Sequence, residues 1–405
     1  MGERTTDIKA DLTKIQWVAL VVGVLAAAAC GYGYTILDHR SFYTSYLAGF
    51  ILVLGLPMGS LGWLMIQHMV NGQWGYVIRR MLEASIKTLP LLAILFVPIY
   101  FGMHDLYVWT HAEHIHEHEV LGLKTAYLNH DFFVARAIGF FVIVTCLGGM
   151  LAMWSRRQDR TADADLSRKM CALSAPGILI YATAGTFAMI DWMMSLEPAW
   201  FSTIYGVHAL VGMGLTTMAF MAILLHFLSS RGALQGLAGP QQFHDIGNLM
   251  FTFTILWTYM NVGQLIIIWS GNLPEENVYF LARIKGSWRT VAIFLTLFQF
   301  ALPFFLLLMR NFKRKSASLA RIALLVILVR IVDYHWLVAP PAEPDGLVIH
   351  WMDFAAPIAI FGIWLAVFIA LLKQQPLLPL HDPEFEGLLR GEKNEELGWE
   401  VADEL

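Results

Sequence analysis

Arg136, Asp191, His208, Arg330, Asp333, His335 and Asp353 lie inside, or at the lip of, long apolar runs of this 405-residue chain. A charge in hydrocarbon is costly, so an ionisable residue there pairs, faces water or does chemistry. Carboxylate, imidazole and guanidinium groups in an apolar setting hold, relay and stabilise protons. Asp191, His208, Arg136, Asp333 and Arg330 are therefore candidates for a proton route or for the polar face of a small-molecule site. Tyr205, Tyr259 and Gln264 add hydrogen-bonding groups in neighbouring runs.

The elements that must position these residues follow from composition. The chain is 57% hydrophobic and 14% charged, with mean hydropathy +0.58; soluble domains carry about 25% charged residues. Spanning the hydrocarbon takes about 20 apolar residues as helix. Runs of that kind fall near 15–37, 43–68, 88–108, 132–154, 172–195, 203–228, 247–270, 288–309, 318–339 and 351–372. Barrel strands are shorter and alternate, so the fold class is an all-α integral membrane protein with ten expected transmembrane helices. A segment 1–14 precedes the membrane domain (15–372), and an acidic, proline-containing tail (373–405) follows it as an expected soluble extension.

Ten spans put both termini on one side. Of the 27 Lys and Arg residues, Arg40, Lys124, Arg283, Lys285 and Arg289 fall in the opposite loops, Arg136 and Arg330 within spans, and the rest on the terminal side. Basic loops stay cytoplasmic, so both termini are expected there. The intramembrane ionisable groups then crowd towards the outer half, as one polar site opening outward would require.

The cysteines Cys30, Cys146 and Cys171 are isolated. No haem-attachment or iron–sulfur spacing exists, so the chain is expected to own no covalent redox cofactor. A net charge of −4 gives no reason to expect nucleic-acid binding. His104, His111, His114, His116 and His118, interleaved with Asp105, Glu113, Glu117 and Glu119, form a His-rich outer tract. Its spacing matches no fixed metal site, and a solvated loop carries His freely, so no metal site is assigned.

Three motifs sit at the outer ends of spans: Asp191 to Gly206, Ile268 to Glu276 with Tyr279, Arg283 and Trp288, and Arg330 to Pro340. Their Trp and Tyr residues suit a membrane interface. Spans five and nine echo each other, since Asp191 is followed by Pro198 and Asp333 by Pro340, each seven residues on. A shift of four spans preserves direction, and suggests two four-helix bundles (spans 2–5 and 6–9) with two peripheral helices. Chance or shared interfacial chemistry would give as short a match.

These motifs, with Tyr127-Leu128-Asn129 and Phe132 to Arg136, resemble the NrfD-type membrane subunits. The resemblance is strongest to the smaller NrfD-type subunit of bacterial alternative complex III, a quinol:electron-acceptor oxidoreductase, and the short N-terminal extension favours it over its larger relative. The resemblance spans residues 15–372, and Asn272-Leu273-Pro274-Glu275-Glu276 is its most specific part. The chain departs from the pattern at Asn261-Val262-Gly263, where Ser is expected before Gln264, and at Ala199, where His is expected. The resemblance implies a subunit of the bacterial cytoplasmic membrane. Its implied partners are the larger NrfD-like membrane protein of the same complex, a multihaem cytochrome and iron–sulfur subunits, with a terminal oxidase as a further one. It also implies quinone, either menaquinone or ubiquinone, as the molecule handled, with Asp191, His208, Arg136 and Tyr205 as polar contacts and Tyr259 and Gln264 as further ones. Two other readings stand beside it: a proton-coupled secondary transporter, and a structural anchor whose buried ion pairs only lock helices.

Overall fold

The computed structural model describes residues 2–111, 119–234, 237–379 and 381–389. Among these the secondary structure is helical, without strands. We number the long helices α1 (Gly2–Ile36), α2 (His39–Val70), α3 (Gln73–Phe101), α4 (His130–Thr161), α5 (Asp165–Trp192), α6 (Tyr205–Ser230), α7 (Pro240–Gly271), α8 (Gly286–Leu308), α9 (Ser316–Val338) and α10 (Met352–Leu372). All but α9 are long and apolar enough to cross a membrane. Helix α9 has 23 residues, but every 18-residue stretch of it contains Arg321, Arg330 and Asp333. The chain is thus an all-α, multi-pass membrane protein.

Local chemistry sets the boundaries. Asp38 and Asn129 cap α2 and α4, each accepting from a backbone N–H three residues on. Asn71 and Asn272 end α2 and α7 in the left-handed conformation, at φ 52° and 48°. Pro90 and Pro98 divide α3 into Gln73–Ile86, Leu89–Leu95 and Val97–Phe101. A π-helical turn, Thr296–Ala301, lies in α8 just before Pro303.

Helix α3 starts well before the expected span at 88. Its first piece carries Arg79, Arg80 and Glu83, with Lys87 just after it, and these hide it from a hydropathy reading. Helix α1 likewise begins at Gly2, with Ile8 and Leu12 buried, so the expected N-terminal segment forms its first turns.

Helix α2 packs against α3, α5, α6 and α10, while α6 packs against α2, α5, α7 and α9. Helix α4 lies on α3 and α5, and α8 lies on α7 and α9. The grouping is α2–α5 and α6–α9, joined through α2 and α6, with α1 seated on α10 outside them. Glycines let backbones touch: a Cβ on Gly23 would lie 2.7 Å from Ile363 N, and one on Gly59 would lie 2.6 Å from Met213 O. Lys373, after α10, donates to Thr13 Oγ1 (2.9 Å) and Gln16 Oε1 (2.6 Å) in α1. The chain ends therefore share one end of the bundle, here the terminal end. The three motifs meet at the other, the far end.

Candidate functional site

Asp191, in the last turn of α5, faces Arg136 in the second turn of α4. Arg136 donates from Nε to Oδ2 (2.7 Å) and from Nη2 to Oδ1 (3.0 Å). Its Nη1 donates to Tyr127 O (3.0 Å), and the guanidinium lies over the Tyr127 and Phe132 rings at 3.9 and 4.2 Å. Both carboxylate oxygens are satisfied, in a site where Asp191 is 2% exposed. A fork-to-fork pair of this kind fixes two helices together. A small cavity of about 210 Å³ between α4 and α5 is lined in part by both residues.

Arg283 joins all three motifs. It is 1% exposed, and its Nη1 donates to Glu197 Oε2 (2.8 Å) and to Tyr279 O (3.1 Å). Its Nη2 donates to Leu337 O (3.1 Å). The guanidinium sits 3.6 Å from the centre of the Tyr279 ring, which stacks on Trp200 at 3.9 Å. Tyr205 lies edge-on to Trp200. Burial raises the Glu197 carboxyl above the usual carboxylate range and Arg283 opposes the rise. Burial likewise pushes the Tyr279 phenol up to about 12.

A second apolar cavity, of about 260 Å³, lies between α7, α8 and α9 under the short helix Pro274–Ile284. Its walls include Val262, Leu265, Ile284 and Phe300, and it opens on the flank where Val262, Leu265 and Ile284 are exposed. Asp333 and Asn261 supply polar surface. Arg330 bonds Asp333 Oδ2, one helical turn away. Asp333 Oδ1 is buried and has no hydrogen-bond partner among the described residues. Asn261 Nδ2 stands 2.6 Å from His208 Nε2, and His208 lies beside Trp257, another wall residue. Arg330 reaches its position because Gly212 has no side chain: a Cβ there would lie 2.2 Å from Arg330 Nη2.

The sequence candidates thus separate into two groups. Asp333, Arg330 and His208 gather at or behind the larger cavity, whereas Arg136 and Asp191 pair at the smaller one. Tyr205, Tyr259 and Gln264 line neither; Tyr205 is buried in the Trp200 stack and Tyr259 is 71% exposed. At the far end Asp353 accepts from Ser45 Oγ (2.6 Å) and His350 N (2.8 Å), and His335 Nδ1 lies 3.7 Å away. His104 and His111 are in ring contact, while His114, His116 and His118 lie outside the described residues. Among the described residues no group of His, Cys, Asp and Glu is placed to hold a metal ion.

Sequence reasoning missed a buried charge cluster at the terminal end. Arg79, Arg80 and Glu83 are at most 1% exposed. Arg80 bonds Glu83 (2.7 Å), Ser155 (2.8 Å) and Asp159, and Ser155 donates to Glu83 (2.6 Å). Arg79 Nη1 meets Asp382 Oδ2 at 2.6 Å. The tail after α10 therefore folds back on α3, with Gln375 donating to Arg80 O (2.8 Å) and Phe385 packed beside Tyr76. The spacing of Arg79 and Arg80 to Glu83 was a visible helical signal for part of this cluster.

No family model matches the chain, and comparison with curated proteins likewise finds no match. The functional reading therefore rests on the motifs and on this geometry.

Proposed function

We propose that the chain is a membrane subunit of a bacterial quinol-oxidising respiratory complex of the alternative complex III type, and that it presents the cavity at Asp333 to the quinone pool. One observation carries the reading: an apolar slot, open on the exposed flank, is lined by Asp333, whose buried Oδ1 has no partner among the described residues. A quinol head needs a hydrogen-bond acceptor, a flat apolar slot and a proton acceptor. Asp333 Oδ1 supplies the acceptor, the Asn261–His208 pair a second polar contact, and Val262, Leu265 and Ile284 an apolar entrance. Oxidation of quinol to quinone releases two protons and two electrons. The protons pass to this polar end, and the electrons pass to redox centres of partner subunits, a multihaem cytochrome and iron–sulfur proteins.

The test is isolation of the chain from its native membrane under mild detergent, with identification of co-purifying subunits and assay of quinol oxidation. The expected result is a complex containing haem and iron–sulfur subunits, in which Asp333→Asn leaves assembly intact and slows turnover. Recovery of the chain without redox partners would overturn the assignment. An assembled Asp333→Asn complex with normal turnover at every pH would remove the cavity from it.

A further inference from the structure

At the terminal end, α3 and α4 frame a groove of about 570 Å³ that the quinol reading does not use. Lys87 from α3 and Arg156, Arg157 and Arg160 from α4 line it, all cationic. No carboxylate among the described residues lines it. The nearby acids are already committed, Glu83 to Arg79 and Arg80, and Asp159 to Arg80. None of the three arginines has an ion-pair partner among the described residues, while Lys87 donates to Gln375 Oε1 at 2.7 Å. Below the charges the same flank of α4 turns apolar. Met153, one turn before Arg156 and Arg157, is 58% exposed, and Gly149 follows a turn deeper. A Cβ on Gly149 would meet nothing within 4 Å, so the groove continues as open space along the helix.

The chemistry changes along one line, from three cations in the last turns of α4, joined by Lys87 of α3, to open apolar surface along α4. That order matches an amphiphile with an anionic head. We propose that the groove binds an anionic phospholipid, its phosphate held by Arg156, Arg157, Arg160 and Lys87 and an acyl chain lying against Met153 and Gly149. Basic pockets between membrane helices hold anionic headgroups through charge attraction and phosphate hydrogen bonds. The guanidinium fork suits phosphate oxygens in particular.

The full chain in detergent is titrated with phosphatidylglycerol, phosphatidylcholine and inorganic phosphate, and bound lipid is counted by native mass spectrometry. Phosphatidylglycerol is expected to bind more tightly than phosphatidylcholine, and salt to weaken it. Substituting Arg156→Gln, Arg157→Gln and Arg160→Gln together is expected to lower its affinity about a hundredfold. Replacing the same three arginines by Lys retains the charge and most of the affinity. Gly149→Leu fills the channel and is expected to weaken lipid binding without changing binding of inorganic phosphate. If the triple variant elutes as an aggregate, Arg157→Gln and Gly149→Leu, both at exposed positions, carry the test alone. Equal binding of the two lipids, or no loss in the Gln variants, overturns the proposal. Displacement of lipid by inorganic phosphate with no effect of Gly149→Leu shows an ion site and overturns the lipid assignment.

Discussion

Removing Arg136 while keeping Asp191 isolates the energetics of the α4–α5 pair. Arg136→Gln leaves a carboxylate whose side chain is 3% exposed without its two charge-assisted bonds. Breaking a buried pair from one side costs about 3–5 kcal/mol, because the remaining charge keeps its desolvation cost. Asp191→Asn is expected to cost less. The arginine it leaves behind is 13% exposed at the side chain, still bonds Tyr127 O and still stacks on two rings. Replacing both, Arg136→Met with Asp191→Leu, removes both charges together and should return the protein close to wild type. Thermal unfolding of the full chain in detergent, followed by loss of monodisperse elution, reads the order. A loss of about 3–5 kcal/mol corresponds to a fall of about 4–6 °C for Arg136→Gln in a chain of this size. The double variant should recover most of that. A double variant as unstable as Arg136→Gln, or an Asp191→Asn variant worse than Arg136→Gln, would refute the pair-locking argument.

Two further outcomes follow from charged contacts at the two ends of the bundle. The folded state holds the Glu197 proton more tightly than the unfolded chain does, because burial raises its carboxyl. Stability contributed there is therefore present at low pH and is lost as pH rises through the interval between the ordinary and the raised value. Wild type should gain stability relative to Glu197→Gln as pH falls towards the ordinary carboxylate range, and melting curves of both proteins against pH check the sign; a relative loss contradicts it. At the terminal end, Asp382→Ala leaves Arg79 with Glu83, at 3.4 Å, as its remaining carboxylate partner among the described residues, beside a 3.4 Å contact from Nη2 to Ser155 Oγ. The expected cost is about 3 kcal/mol, with faster proteolysis after Lys373; unchanged tail protection would show that the ion pair does not hold it.

Composition made the membrane class legible, because apolar runs of spanning length leave few alternatives. The echo of Asp191 and Asp333 suggested a grouping α2–α5 and α6–α9; sequence neighbours do pack within each set, but α2 packs most extensively on α6 and α10, across that division. The start of α3 was not, because a hydropathy reading treats Arg79, Arg80 and Glu83 as solvated. Their charges cancel inside the fold, and two of the partners, Asp159 and Asp382, lie about 80 and 300 residues away in sequence. Glu197 and Arg283 were both in named motifs, yet nothing periodic links residues 86 apart. Asn261 stood out only as a departure from a family pattern, and the structure places it between His208 and the larger cavity.

Asp191 lies in the last turn of α5 and Asp333 just before the last turn of α9, and each acid lines a cavity, of about 210 Å³ for Asp191 and about 260 Å³ for Asp333. What differs is the cation. Arg136 comes from a neighbouring helix, approaches with its fork and occupies both oxygens of Asp191. Arg330 comes from the same helix one turn earlier, and from there it bonds only Oδ2 of Asp333. Oδ1 of Asp333 is left buried without a partner among the described residues, where an unpaired acceptor is costly unless a donor arrives. A carboxylate bonded at both oxygens has no strong acceptor left to offer, whereas a half-satisfied one favours a further hydrogen-bond donor. The two acids thus differ in how they are held: Asp191 is bonded at both oxygens across two helices, and Asp333 at one oxygen within its own helix.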